Sequence, residues 1–456
     1  MTVARELAEF LVRTSPSDIP QQPLDHAAML IASTLASAAL GTGLQSSRII
    51  RDLARERGGR PDASLWFSPG PKLPMAEVAQ VNAVASDAAA SDDSDLRNIV
   101  HAGTTLAATG LAVAERTGAG GEEVLAAIVL GYEAAGRIGE AITPGFRTRG
   151  FHGCLVAIFA GAVAAGRLMD LDSAQMAQAI AVSATSIGGL AAAANTSVAR
   201  EYHAGLAAML GTHAASAAQR GYQAEEGILE TKQGFFEVYG GVEGAAAGAN
   251  VLRGLGETWD IVTDMAVKLV PGGHPYHALA EAAGNAARDG NIKPDEVESI
   301  TLSRPGVTSL TGPLHPKDLI GMAHSPAYFL AAGGADHGMS WVNATQAKIT
   351  DPVIHRLTDK VRVGAPPADD VARYRQGATV TICTTDGRTS TSTVYAPKGA
   401  GLGGIAWADV DAKYHSLMPH SGLPDRQVEA SLAVIHDFRG LKNVSALTSL
   451  LRPQEV

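Results

Sequence analysis

Between Asp92 and Thr105 the chain reads Asp92-Asp93-Ser94-Asp95-Leu96-Arg97-Asn98-Ile99-Val100-His101-Ala102-Gly103-Thr104-Thr105. Three carboxylates, an arginine, an amide and an imidazole are crowded just ahead of an alanine-rich stretch. A histidine immediately before a helix start stands beside free backbone N–H groups and the positive end of the helix dipole, where an anion is held. A base beside an anion pocket suits a substrate that carries a carboxylate. The same stretch also reads as an acidic cap on a buried helix, with Arg97 paired to an aspartate for structural reasons. Composition alone leaves both readings open.

Two further polar stretches repeat the theme. Residues 143–152 carry Arg147 and Arg149 and end in Gly150-Phe151-His152, and residues 195–203 carry Arg200-Glu201-Tyr202-His203; a small-residue helix follows each. Three helix starts bearing Arg and His are expected to converge on one pocket. Farther on, Lys268 to His277 places His274, Tyr276, His277 and Lys268 around a Pro/Gly turn, a density of titratable groups that points to function. Tyr328 opens another short helix, where a lone tyrosine is more often core.

The elements that must position these groups follow from periodicity. Residues 1–55 read as two amphipathic helices separated by Pro16 and Pro20, and Leu65-Trp66-Phe67 as a brief strand within a loop. Helices are expected from Met75 to about Ala90, from Thr104 to Ala141 with a break near Gly118 to Gly121, from Cys154 to Met169, and on to about Ala218. After Trp259 the character changes. Strands are expected at Val297 to Leu302, Val361 to Val363, Ala378 to Thr384 and Thr389 to Tyr395, the last two flanking a Thr385-Asp386-Gly387 turn, with helices at Tyr276 to Ala287 and Ser325 to Ala332. The fold class is therefore mainly α: a large all-α helical domain (1–265, returning at 399–456) with an inserted smaller α+β lid (266–398). A cleft at the junction of body and lid is a common place for a small-molecule site.

Composition bounds the partners. At 456 residues a sizeable core is assured, and 46% apolar with only 5% aromatic residues calls for helices packed through small side chains. A net charge of -10 argues against nucleic acid and anionic membranes, and no membrane-spanning run is read. Two widely spaced cysteines, Cys154 and Cys383, and the lack of a secretory signal make the reducing cytoplasm the expected compartment. Neither CxxC nor HExxH occurs, so no metal is expected and only a carboxylate-bound divalent ion is left as an option.

Taken together, Asp92-Asp93 followed by His101-Ala102-Gly103, Gly150-Phe151-His152, Arg200 with Tyr202-His203-Ala204-Gly205, Gly234-Phe235-Phe236, His274 to His277 and His324 to Tyr328 resemble the MmgE/PrpD family. That family includes 2-methylcitrate dehydratases, cis-aconitate decarboxylases and iminodisuccinate epimerase. The resemblance implies a helical domain with an inserted lid, a homodimer, and cofactor-independent chemistry at a carbon α to a carboxylate of a small di- or tricarboxylate. By position, His101 and His152 match the family's active-site histidines, Arg200 falls where related decarboxylases have a lysine, and His277 and Tyr328 match lid-side polar residues. On this basis His101 is the expected base with Asp93 orienting it, and His152, His277 or Tyr328 supplies a second acid/base group. Arg97, Arg149 and Arg200 are expected carboxylate clamps, with Asn98, His203, Lys268 and His274 completing the substrate contacts; Arg147 is read as a surface arginine.

The family's dehydratases and decarboxylases commonly carry Asp-x-x-Asp-Thr and then His-Pro-Ser. Here the acidic motif lacks the threonine and Ala102-Gly103 follows His101, and Arg200 cannot give up its proton as a lysine can. These departures select an epimerase of an iminodisuccinate-like substrate, an isomerase. Dehydration of 2-methylcitrate or a similar hydroxy acid, or a cis-aconitate-type decarboxylation, is the alternative. A pocket that binds without turnover is the non-enzymatic one.

Overall fold

The computed structural model describes residues 1–186 and 188–453, which form two units, Met1–Met265 with Val410–Val456, and Ala266–Asp409. The chain leaves the larger unit after Met265 and returns to it at Val410, where the sequence reading sets the return at 399. The reason is local pairing: Ala266 bridges Ala400, Val267 N–H donates to Gly399 O, and Lys398 N–H donates to the Glu281 carboxylate. These ties hold 398–400 in the smaller unit.

The larger unit is helical: α1 (Val3–Arg13), α2 (Gln21–Gly41), α3 (Gln45–Arg57), α4 (Met75–Ala88), the three-residue strand β1 (Asp93–Asp95), α5 (Ala102–Thr117), α6 (Gly121–Ala141), α7 (Gly145–Thr148), α8 (Cys154–Leu168), α9 (Ser173–Ser183), α10 (Ala191–Thr196) and α11 (Ala199–Gln219). Three helices stand where two were expected before residue 58. Of these, α2 is long and apolar enough to cross a membrane by length and composition, yet 89% of that stretch is buried, because α4, α5 and α6 surround it. The strand expected at Leu65 to Phe67 is a turn: Phe67 has a positive φ of 56°, and only Ala63 bridges Leu73.

Small residues decide how the helices meet. A Cβ on Gly211 of α11 would stand 2.7 Å from the Ile158 carbonyl of α8, so the glycine lets α8 and α11 close to backbone contact, and a Cβ on Gly161 would press on the Thr105 methyl of α5 at 3.1 Å. His152 and His203 each lie about two turns ahead of that crossing, at the same end of the two helices. The Ala-Gly texture thus fixes where the imidazoles go.

The smaller unit follows β2 (Met265–Val267) and contains a four-stranded sheet, β3 (Val297–Ser303), β4 (Val361–Val363), β5 (Ala378–Thr384) and β6 (Thr389–Val394), in the order β4-β3-β5-β6. β3 runs parallel to β4 and antiparallel to β5, with Ile300 opposite Ile382 and Leu302 opposite Val380. A register shift between Val297 and Ser299 restores Val297 to the buried face. That face packs on the helices His277–Asp289 and Pro326–Asp336.

Candidate active site

The acidic motif folds into a loop knotted on itself. Asp95 N–H donates to Val100 O at 2.8 Å, Ile99 N–H donates to Asp95 O at 2.7 Å, and Val100 N–H donates to the Asn98 side-chain oxygen at 3.0 Å. Ile99 is thereby forced to a φ of 57°, an uncommon conformation for a β-branched residue that costs about 1–3 kcal/mol. Strain of this kind persists only where the surroundings over-determine it.

The loop delivers His101 as the N-cap of α5. Its Nδ1 lies 2.7 Å from the buried Asp92 Oδ2 and 2.6 Å from the Asp93 carbonyl oxygen. Two acceptors at one ring nitrogen place the proton on Nδ1 and leave the lone pair on Nε2. The orienting carboxylate is therefore Asp92. The expected partner Asp93 instead caps α5, its Oδ2 accepting from Gly103 N–H at 3.0 Å and from the Tyr132 hydroxyl at 3.3 Å. A Cβ at residue 103 would stand 2.6 Å from the Asp93 carboxylate and 2.4 Å from Leu30. The glycine that stands in place of the serine of His-Pro-Ser is thus a packing requirement of this motif.

Three imidazoles line up. The His101 and His152 ring centroids are 6.4 Å apart, and those of His152 and His203 are 5.2 Å apart. His152 Nδ1 accepts from Cys154 N–H at 3.5 Å, which puts the ring's own proton on Nε2. Burial, then the neighbouring His101, His203, Arg200 and Arg147, push His152 well below the usual imidazole range, so it stays neutral. Burial also lowers His203, against the pull of Asp87, and its buried Nδ1 has no hydrogen-bond partner among the described residues. Arg147, read as a surface arginine, is exposed, yet its charge acts on His152.

Arg200 lies within α11, and its Nε and Nη2 donate to Asp87 Oδ2 at 2.9 Å and Asp87 O at 2.5 Å. Burial works against its charge, but Asp87, Asp92 and Glu201 outweigh it and hold the guanidinium protonated. Sequence reasoning does not single out Asp87; its only sign there is a carboxylate in the last turn of α4, whose second half is otherwise mostly small and apolar. Cys154 is a second neighbour of the row that sequence reasoning leaves aside. Its thiol is buried and pushed up to about 12, so it is no nucleophile at neutral pH.

Two triads have ligand atoms within 4.8 Å of one another, His152 with Cys154 and His203, and Asp87 with Asp92 and His101. In the first, burial raises the Cys154 thiol, and in the second Asp87 is ion-paired with Arg200 at 2.9 Å.

The remaining expected site residues lie elsewhere. Arg97 is not a free clamp: Nη2 reaches Asp260 at 2.6 Å, Nε reaches Asp264 at 3.2 Å, and Nη1 bonds Glu140. Asn98 is fully buried and spans the loop and the Gly136 carbonyl, a structural tie. Arg149 is exposed, with its guanidinium against Gly241. In the smaller unit Lys268, His274 and His277 are buried; the His274 and His277 rings pack at 4.5 Å, and His277 stacks on Phe329 at 5.9 Å. Tyr328 is a core phenol, its hydroxyl donating to Asn343 O at 2.8 Å and its pKa raised by burial, so its expected catalytic role gives way to a packing one.

The MmgE/PrpD N-terminal domain matches residues 5–246 and the MmgE/PrpD C-terminal domain matches residues 271–436. The cis-aconitate decarboxylase of Aspergillus terreus is 28% identical over 296 residues, 62% of this chain and 60% of that protein. A second Aspergillus terreus cis-aconitate decarboxylase is 28% identical over 274 residues, 57% of this chain and 55% of that protein. The cis-aconitate decarboxylase-like protein oryM of Aspergillus oryzae is 24% identical over 429 residues, 87% of this chain and 86% of that protein. The chain spans less than two thirds of the length of the two Aspergillus terreus relatives. On the two domain matches, which together cover most of its length, the chain belongs to the MmgE/PrpD family.

Proposed function

We propose that this protein is a lyase of a small polycarboxylate, of the cis-aconitate decarboxylase or 2-methylcitrate dehydratase kind, with His101 moving the proton at the carbon α to a carboxylate. The observation that carries it is the tautomer pair: His101, backed by Asp92 at 2.7 Å, presents a lone pair at Nε2, while neutral His152 presents an N–H. One accepts or returns a proton and the other hydrogen-bonds a carboxylate or enolate oxygen. In decarboxylation Nε2 of His101 first takes a proton from water, giving an imidazolium that Asp92 stabilises; the C–CO2 bond then breaks, its electron pair moves through the double bond to the carbon α to a remaining carboxylate, and that carbon takes the proton from Nε2. In dehydration His101 removes the α-proton and the hydroxyl leaves with a proton from an acid. The names of the relatives support the lyase branch.

The second reading is the iminodisuccinate-type epimerase. The Asp92-Asp93-Ser94-Asp95 and His101-Ala102-Gly103 departures favour it, and it requires a second proton carrier on the opposite face of the carbon. A homodimer is part of the proposal through the family; sedimentation equilibrium tests it. To separate the reactions, the purified protein is incubated in deuterium oxide with cis-aconitate, 2-methylcitrate and iminodisuccinate and followed by NMR. A new alkene, with loss of carbon dioxide or water, supports the lyase. Inversion at a deuterated stereocentre with no loss of either overturns it in favour of the epimerase.

A further inference from the structure

In the smaller unit, His315 and His355 stack with ring centroids 5.0 Å apart and their Nδ1 atoms 3.2 Å apart. The outer nitrogen of each ring faces an acceptor: His315 Nε2 is 2.9 Å from Asp359 Oδ1, and His355 Nε2 is 2.7 Å from the Ile349 carbonyl oxygen. A carbonyl accepts only, so His355 carries its proton on Nε2 and turns a lone pair inward at Nδ1. A carboxylate likewise holds the His315 proton on Nε2. The Thr358 hydroxyl, 3.2 Å from His315 Nδ1, spends its own proton on the His355 carbonyl at 2.8 Å. His315 Nδ1 thus has both His355 Nδ1 and the Thr358 hydroxyl oxygen at 3.2 Å, and the three atoms gather at one point.

We propose that this point is a binding site for a borderline divalent transition-metal ion, zinc in the first instance, held by His315 Nδ1, His355 Nδ1 and the Thr358 hydroxyl, with water completing the shell. Two nitrogens at 3.2 Å match the spacing of adjacent ligands on a tetrahedral ion with bonds of about 2.0–2.1 Å. The Asp359 carboxylate and the Ile349 carbonyl are the outer partners that fix the tautomer and ring orientation of metal-bound histidines. His355, Thr358 and the cap residue Asp359 all come from the last turn and end of the helix Pro352–Thr358, where the dipole also favours a cation. Imidazole with neutral oxygen selects zinc, copper or nickel over magnesium and calcium. The competing occupant is a single proton, which makes His315 an imidazolium donating to His355.

The test is isothermal titration of the full-length, chelator-treated protein with zinc sulfate at neutral pH, alongside His315→Ala, His355→Ala and Thr358→Val. The expected result is one saturable site whose affinity falls at least about tenfold in each histidine variant and less in Thr358→Val. His203→Ala, which alters the imidazole row of the larger unit, is expected to keep that site. If zinc does not bind, the shared proton is the occupant and the proposal fails. It fails equally if zinc binds and the His315 and His355 variants titrate like the parent. Circular dichroism of each variant separates loss of ligand from loss of fold.

Discussion

Asp92 Oδ2 and His101 Nδ1 stand 2.7 Å apart, the carboxylate fully buried and the imidazole partly open. A buried carboxylate behind one ring nitrogen fixes the tautomer and stabilises the imidazolium that forms once the other nitrogen takes a proton. Asp92→Asn keeps the shape and removes the charge. It is expected to lower kcat by roughly 10²–10⁴-fold with a smaller change in KM, as loss of general-base catalysis does. Steady-state kinetics on the substrate identified by NMR check this, and an unchanged kcat would reassign Asp92 to structure.

Arg97 bridges Glu140, Asp260 and Asp264. Removing it strands buried carboxylates, and Arg97→Met is expected to cost about 3–5 kcal/mol in urea unfolding, with KM of the folded fraction unchanged. A raised KM with full stability would restore the clamp role expected from the sequence.

Two buried groups in the site set opposing pH dependences. His152 sits well below its ordinary value of 6.5, so the stability it contributes is present above 6.5 and is lost as pH falls toward its folded value. Asp95 is pushed up to about 7 by burial, with Asp264 adding to the shift against Arg97, so the stability its neutral form contributes is present at low pH and lost as pH rises through about 7. Just below pH 6.5 the two slopes oppose each other. Thermal melts in that interval are expected to show His152→Gln gaining stability on acidification relative to the parent, and Asp95→Asn losing it. Parallel curves for all three proteins would contradict both shifts.

A Cβ on Gly103 would stand 2.6 Å from the Asp93 carboxylate and 2.4 Å from Leu30. Gly103→Ala is expected to cost about 1–3 kcal/mol through overpacking and to lower kcat by shifting the loop that carries Asp92 and His101. Differential calorimetry with kinetics checks both; wild-type values in each would show that the loop adapts.

The buried Lys413 donates to Ser33 Oγ at 2.7 Å and to Ser91 O at 2.5 Å, directly before Asp92. Lys413→Met is expected to destabilise by about 1–3 kcal/mol, the cost of weakening the bonding of buried polar groups, measured by urea unfolding.

The helices and the hairpin were legible because their apolar periods and turn residues are local signals, as at Thr385-Asp386-Gly387. His101, His152 and His203 were legible as three helix starts, since the small residues that draw the helices together are themselves in the sequence. The partner of His101 was not. Asp92 and Asp93 are neighbours of the same type, and only the fold of the loop around Ile99 decides which carboxylate meets the ring and which caps α5. Arg97 and Tyr328 were misplaced for a related reason. Their bonding partners, Asp260, Asp264 and Asn343, lie far enough along the chain that no spacing rule connects them.

The most direct measurement is solvent deuterium incorporation during turnover of cis-aconitate by the native protein and by His101→Gln, followed by NMR. Expected is a product carrying one solvent deuteron at the carbon α to a carboxylate, with the rate reduced by at least about 10²-fold in His101→Gln while the variant remains folded by circular dichroism. Deuterated product formed by His101→Gln at the native rate would contradict the assignment of His101 as the proton carrier.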